Sequence, residues 1–252
     1  MMRRTTLMPE LDILRLYKPD THHLGTLFAG LSGSGKTTAV LSTLQEALKS
    51  SAFGPKHRFI VIDPKTQPND YDLLGKPLTN IAEVFKSIRK ERFTLFWPSI
   101  DYIEEQVSEV IEYIFSMADS DAETSFTFIL DEAATLITTS RVPLSLKRLS
   151  IQGRSKRIMP ILVSQRPLLN RWVEGNLSNM LLFRILPIDA DNLKRRWGLD
   201  FESIDVKLRE KPYSFMWFDL EQATLNALNP LPLPKQPKVK KKAPWSPKGS
   251  FS

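Results

Sequence analysis

The chain has 252 residues, 42% of them apolar, a net charge of +7 and no cysteine, enough to bury one sizeable α/β core but not two equal domains. The missing thiol excludes disulfides, Cys-type zinc centres and thiol catalysis, and His22, His23 and His57 lack metal-ligand spacing. No apolar run nears the roughly eighteen residues of a membrane-crossing helix and no signal-peptide core follows Arg3 and Arg4, so a soluble chain is expected.

His23 to Ala29 reads as a short buried strand, and Val40, Leu41, Leu44 and Leu48 give residues 37 to 48 helical spacing. Between them lies GLSGSGKTT, in which Gly30, Gly35, Lys36 and Thr37 satisfy the pattern of a phosphate-binding loop. The residue types suit the chemistry. Gly30, Gly33, Ser34 and Gly35 let successive backbone N–H groups turn inward on phosphate oxygens, and the helix start adds its positive dipole end. Lys36 would reach the β- and γ-phosphates, Thr37 would bind Mg²⁺, and Thr38 would donate to the α-phosphate. A nucleoside triphosphate is the expected ligand; no guanine-reading motif is found, so ATP and GTP both stay open.

Arg58 to Asp63 is a second strand candidate, followed by the turn-rich PKTQPNDYD. Helices are expected over Asn80 to Lys90 and Ile103 to Ala118, with a strand at Phe93 to Trp97 between them. Phe126 to Leu130 reads as a buried strand ending in Asp131 and Glu132, with a helix leading away. Two adjacent acids after an apolar run rarely serve a core, because burying unpaired charge is expensive. Asp131 is therefore the candidate Mg²⁺ ligand, ahead of Asp63, and Glu132 the group that orients and polarises the attacking water.

Leu144 to Gln152 is expected to be helical, Gly153 to Arg157 a basic loop, and Met159 to Gln165 a buried strand. Gln165 at that strand's end could sense the γ-phosphate, whereas an ordinary strand-end polar group is the plainer alternative. Arg154 and Arg157 compete with each other as an arginine finger for a neighbouring subunit, with Arg154 favoured, and with a merely solvated loop. Strands follow at Met180 to Leu186 and Tyr213 to Phe218, and a helix at Asp189 to Trp197 whose Lys194, Arg195 and Arg196 cannot share one face. Strand–helix alternation predicts an α/β fold, a mostly parallel sheet with helices on both faces.

The positive charge is local: six lysines without an acid fall in residues 229 to 252, leaving residues 1 to 228 at +1. Residues 1 to 228 are read as the ATPase domain and 229 to 252 as a disordered basic Pro/Lys-rich tail, either phosphate- or lipid-binding or simply solubilising.

The stretches GLSGSGKTT, VIDPK, FILDEA, GRSKRIMPILVSQRP and NLSNMLLFRI, in this order, resemble the HerA/FtsK superfamily of DNA-pumping ATPases over Leu24 to Arg184. Within it the chain is most similar to the genome-packaging ATPases of membrane-containing double-jelly-roll viruses. The resemblance implies a RecA-like (ASCE) P-loop NTPase core with an extra strand between those bearing Walker A and Walker B. It also implies a hexameric ring hydrolysing ATP with Mg²⁺ to move double-stranded DNA without regard to sequence, gripped by pore-facing loops for which Pro64 to Lys76 and Thr138 to Arg148 are the candidates. It makes Lys36 and Thr37 the Walker A pair, Asp131 and Glu132 the Walker B pair, Gln165 the sensor and Arg154 the finger. Host cytoplasm and a virion packaging vertex are the implied locations, with capsid-vertex or viral membrane proteins as docking partners. Rival readings are a conjugation or secretion motor moving DNA–protein or protein cargo, and a small-molecule kinase, against which Glu132 argues.

Overall fold

The computed structural model describes residues 13–19, 24–68, 70–198, 208–209, 212–222, 224–228 and 230–234. Eight strands among these form one sheet: β1 (Thr26–Ala29), β2 (His57–Ile62), β3 (Phe93–Phe96), β4 (Ser125–Leu130), β5 (Ile158–Ser164), β6 (Asn179–Leu182), β7 (Phe215–Asp219) and β8 (Thr224–Leu228). Their spatial order is β3-β2-β4-β5-β1-β6-β7-β8. The strands from β3 to β6 pair parallel, whereas β7 and β8 close the edge as an antiparallel pair. β5 lies between β1, which leads into the glycine loop, and β4, which ends at Asp131, so the extra strand implied by the resemblance is present.

Strand alternation divides the apolar residues between two cores, one on each sheet face. Leu27, Ile60, Ile62, Phe126, Phe128 and Leu130 face one cluster, while Phe28, Phe59, Val61, Ile129 and Val163 face the other. The first cluster is covered by α2 (Ile81–Lys90), α3 (Ile103–Ser120) and α4 (Leu144–Gln152) through Val84, Ile88, Val107, Ile111, Ile114 and Leu149. α1 (Lys36–Ala47) covers the second with Val40, Leu41 and Leu44. Beside it packs a single 3-10 stretch, Ile13–Tyr17, whose Tyr17 ring meets Phe28 edge-on at 6.5 Å between centroids. Helices thus lie on both faces, as strand–helix alternation requires.

Local chemistry explains several boundaries. Asn80 caps α2, its Oδ1 accepting from the N–H groups of Ala82 and Glu83. α6 (Pro187–Trp197) begins with a proline, whose missing N–H costs nothing in a first turn, and ends at Gly198 in the left-handed conformation. The helix expected after Glu132 is a single 3-10 turn, Ala133–Thr135, and in the small polar run beyond it Thr138 Oγ1 accepts from the Arg141 N–H, a local bond that competes with the helix ladder. The aromatic run near Tyr213 is largely core: Phe215, Met216 and Phe218 are buried, and Trp217 donates from Nε1 to Asn179 Oδ1 at 2.8 Å. A four-residue helix, α5 (Arg171–Glu174), and strand β8 went unread in the sequence.

Pro230 to Leu233 lie against α1, where Ser42 Oγ donates to the Pro232 carbonyl at 2.6 Å. The lysine-rich residues 235 to 252 lie outside the described residues, as do His22 and His23. No helix among the described residues is long and apolar enough to cross a membrane.

Candidate functional site

In a parallel sheet the carboxyl ends of the strands collect side chains that none of the strands can bury, and here they converge on the glycine loop. Register brings Ala29 of β1 beside Ser164 of β5, and Leu130 of β4 beside Leu162. The Gly30 N–H donates to Ser164 O and the Leu31 N–H to Arg184 O, fixing the loop across two neighbouring strands. Gly35 sits at φ 99° as the cap of α1, a conformation that side-chain-bearing residues rarely hold, and a β-carbon there would stand 2.9 Å from Tyr213 Cδ1. The loop therefore delivers the first N–H groups of α1, unsatisfied by the helix itself, to the mouth of a cavity.

That cavity, about 440 Å³, is lined by Gly33, Lys36, Thr37, Thr38, Lys65, Glu132 and Gln165, together with Asp70 and Tyr213. Lys36 is only 7% exposed, and its Nζ donates to the carbonyls of Gly30 at 2.7 Å and Leu31 at 2.9 Å. Burial pushes its ammonium below the ordinary lysine value, while Glu132 and Asp131 pull the other way. Thr37 Oγ1 lies 3.3 Å from Asp131 Oδ2, so the two expected metal ligands face each other although 94 positions separate them in sequence.

Glu132 occupies a left-handed backbone conformation, φ 51° and ψ 47°, with its N–H donating to Asp131 Oδ1 at 2.7 Å. A residue other than glycine is held there at a cost of about 1–3 kcal/mol, and such strain gathers where function requires a direction. The turn sends Asp131 inward, 1% exposed, and leaves Glu132 lining the cavity. Gln165, one residue past β5, reaches the same cavity.

Sequence reasoning missed Lys65. Its ammonium stands 3.0 Å from Asp131 Oδ2 and 3.4 Å from Thr37 Oγ1, a cation held between the two groups expected to ligate one. Burial opposes its charge, but Asp131, Asp63 and Glu132 outweigh that and hold its pKa above the ordinary lysine value. Asp63, fully buried at the end of β2, accepts from the Lys65 N–H through Oδ1 at 3.0 Å, while its buried Oδ2 has no hydrogen-bond partner. Burial, and next the Asp131 charge, push its carboxyl up to about 6. Hydroxyl and carboxylate oxygens around a position that already accepts a cation suit a hard ion such as Mg²⁺. No group of three or more ligating His, Cys, Asp or Glu side chains occurs among the described residues, so phosphate oxygens and water would complete its shell.

The arginines separate clearly. Arg157 donates from Nη2 to the carbonyls of Ala118 and Asp121 and from Nε to Thr124 O, binding the end of α3 to the loop before β5. Arg154 is exposed in the 3-10 turn Arg154–Lys156, at the amino end of β5 and thus across the sheet from its own glycine loop. Any contact it makes with a nucleotide would be with another subunit's. The two candidate gripping loops are also partly engaged. The first carries Lys65 and Asp70 into the cavity; in the second, Arg141 pairs with Glu104, Arg148 with Glu112, and Lys147 lies 4.0 Å above the Trp172 ring.

No family model and no curated protein matches the chain. Solved structures do. The genome packaging NTPase B204 from Sulfolobus turreted icosahedral virus 2, in complex with ATP-gammaS, is similar with a TM-score of 0.65 at 16% identity, covering 82% of this chain and 97% of that one. VirB4 of Thermoanaerobacter pseudethanolicus is similar with a TM-score of 0.59 at 12% identity, covering 83% and 90%. The cytoplasmic domain of the Thermomonospora curvata type VII secretion ATPase EccC gives 0.54 at 15% identity, covering 82% of this chain and 25% of that one. With its sheet order, glycine loop and strand-end acids, the chain has the fold of a P-loop NTPase.

Proposed function

We propose that this protein is an ATP-hydrolysing motor that moves double-stranded DNA, of the kind that packages a viral genome into a preformed capsid. The observation that carries the hydrolase reading is the convergence of Lys36, Thr37, Glu132 and Gln165 on one cavity from three different strand ends, with buried Asp131 against Thr37. Support for the packaging reading comes from the likeness to B204, which spans nearly all of that NTPase. The likeness to VirB4 and EccC supports a second reading, a conjugation or secretion motor.

In this mechanism the N–H groups at the start of α1 and the Lys36 ammonium hold the phosphates. Lys36 leaves its loop carbonyls for the β- and γ-oxygens. Thr37 and Asp131 would hold Mg²⁺, which supplies charge neutralisation at the phosphates when bound. Glu132 accepts a proton from water as its oxygen bonds to the γ-phosphorus and the bond to the β-phosphate oxygen breaks. Gln165 hydrogen-bonds the γ-phosphoryl group or that water. A ring of copies, hexameric in this reading, would let the exposed Arg154 of one copy approach the phosphates of the next, where it stabilises the charge that develops. DNA would be gripped through its phosphates, so sequence would matter little.

ATP turnover by the purified protein, with and without linear duplex DNA, tests the proposal, with Glu132→Gln as the comparison. DNA-stimulated turnover lost in the variant is expected. Turnover indifferent to DNA rejects the translocase reading in favour of a protein-cargo motor, and undiminished turnover in Glu132→Gln removes Glu132 from the chemistry.

A further inference from the structure

Beyond Gly35 and Thr38 the phosphate cavity opens into a second one of about 410 Å³, and Tyr213 lines both. The two differ in character. Lysines, acids and hydroxyls surround the first, whereas Ala39, Pro212, Tyr213, Leu231 and Leu233 form most of the second, and none of the described residues on its walls is charged. We infer that the second cavity holds the purine base of the nucleotide, gripping its faces rather than reading its edges. This rests on the nucleotide reading above and extends it to a part of the ligand that the glycine loop does not touch.

Position comes first. Thr38 stands at the junction, where the α-phosphate is expected, and the base of a nucleotide lies one ribose beyond that phosphate. The apolar cavity begins on the other side of the same residue, so a ligand with its phosphates in the loop has its base directed there.

Tyr213 supplies the second argument. It is one of the non-glycine residues at positive φ, 64°, and 58% of its surface is exposed. A bulky aromatic held in a left-handed conformation is costly, and persists where surrounding structure imposes it. Here the ring edge rests on Gly35, close enough that any β-carbon at that position would collide with Cδ1 at 2.9 Å. The ring edge thus lies against the loop, and the ring borders both cavities. Aromatic faces are stacking platforms for bases irrespective of base identity.

Pro230 to Leu233 line the same cavity, and this segment is tied to α1 by the bond from Ser42 Oγ to Pro232 O. Leu233 is 75% exposed, a large apolar side chain at the cavity rim. A base slid between Tyr213 and this segment would cover both. Among the described residues no carboxylate borders the cavity to accept from guanine's N1–H and amino group, so adenine and guanine should be held almost equally.

Dissociation constants of ATP, GTP and inorganic tripolyphosphate, measured by calorimetry in Mg²⁺ buffer on the full chain, test this. For the native protein, ATP and GTP should agree within about tenfold and both should bind tighter than tripolyphosphate. Tyr213→Ala should weaken ATP and GTP by about tenfold while leaving tripolyphosphate unchanged, Tyr213→Phe should bind like the native chain, and Leu233→Ser should weaken ATP several-fold. Retained tripolyphosphate binding also shows that the variant loop is folded. The inference is overturned if Tyr213→Ala weakens tripolyphosphate in step with ATP, if neither variant affects ATP, or if GTP and ATP differ by about a hundredfold or more. Equal affinity of the native chain for ATP and tripolyphosphate would overturn it while sparing the phosphate site. Failure to bind either ligand would overturn the nucleotide reading and this one together.

Discussion

At the amino end of the sheet, His57 engages Ser125 Oγ and Thr127 Oγ1 through its two ring nitrogens, each at 2.8 Å, and Arg157 donates to three carbonyls. At the carboxyl end, Asp63 keeps a buried oxygen without a partner, Glu132 sits in a strained turn, and the Lys65 ammonium bridges Asp131 and Thr37. The polar groups named at the first end are satisfied within the fold. Those at the second combine an unpartnered oxygen, a strained turn and a cation lodged between two expected metal ligands, an arrangement suited to taking up a ligand. The same sheet thus separates polar groups that stabilise from polar groups that await a partner, and burial alone does not tell them apart.

Exchange of arginines tests this contrast most severely. Arg157→Ala removes three hydrogen bonds onto carbonyls and should lower stability by about 1–3 kcal/mol in urea unfolding. Arg154→Ala should lower the unfolding midpoint less than Arg157→Ala and reduce ATP turnover about a thousandfold if it acts on a neighbouring subunit's nucleotide. Mixing Arg154→Ala protein with Glu132→Gln protein should then restore some turnover, because the intact residues meet at some interfaces. Full turnover by Arg154→Ala would leave the amino end with no catalytic part.

At the carboxyl end, Lys65→Met leaves Asp131 without its ammonium and Asp63 without a nearby positive charge. Nucleotide-free protein should lose about 1–3 kcal/mol of stability, and millimolar Mg²⁺ should recover more of it than in the native chain. If Mg²⁺ makes no difference, Lys65 does not occupy a cation position.

Much of the phosphate site was legible because its chemistry constrains neighbours in sequence: small residues in a row before Lys36, and an apolar strand ending abruptly in Asp131 and Glu132. The sheet was legible for the same reason, since buried parallel strands read as apolar runs. What escaped was proximity between distant segments. Nothing local in PKTQPNDYD shows that Lys65 falls between Thr37 and Asp131; that follows from β2 lying beside β4. Tyr213 read as the first residue of a strand, yet it precedes β7 and its place beside Gly35 depends on where the antiparallel edge returns. Arg154 and Arg157, three positions apart, could be told apart only once the end of α3 was seen to take up Arg157.

The smallest effect distinguishes the two ends by sign. Thr127 Oγ1 donates to Tyr17 O, so it accepts from His57 Nε2–H, and the ring is neutral with Nδ1 accepting from Ser125. Burial, with help from Arg92, pushes the His57 pKa down from 6.5 to about 3. Below pH 6.5 the unfolded chain therefore takes a proton that the folded protein refuses, and stability falls as pH drops, by up to about 1.4 kcal/mol per unit. Asp63 is shifted the other way, from 3.8 up to about 6. Between those values the folded protein holds a proton that the unfolded chain has released, so stability rises as pH drops. The two slopes oppose each other in the native chain. In metal-free buffer, Asp63→Asn should leave the His57 slope alone and make the acid-side loss steeper, while His57→Gln should flatten or reverse it. Parallel stability profiles for both variants and the native chain, followed by urea unfolding between about pH 4 and 7, would mean that the two ends of the sheet bury their charges in the same way after all.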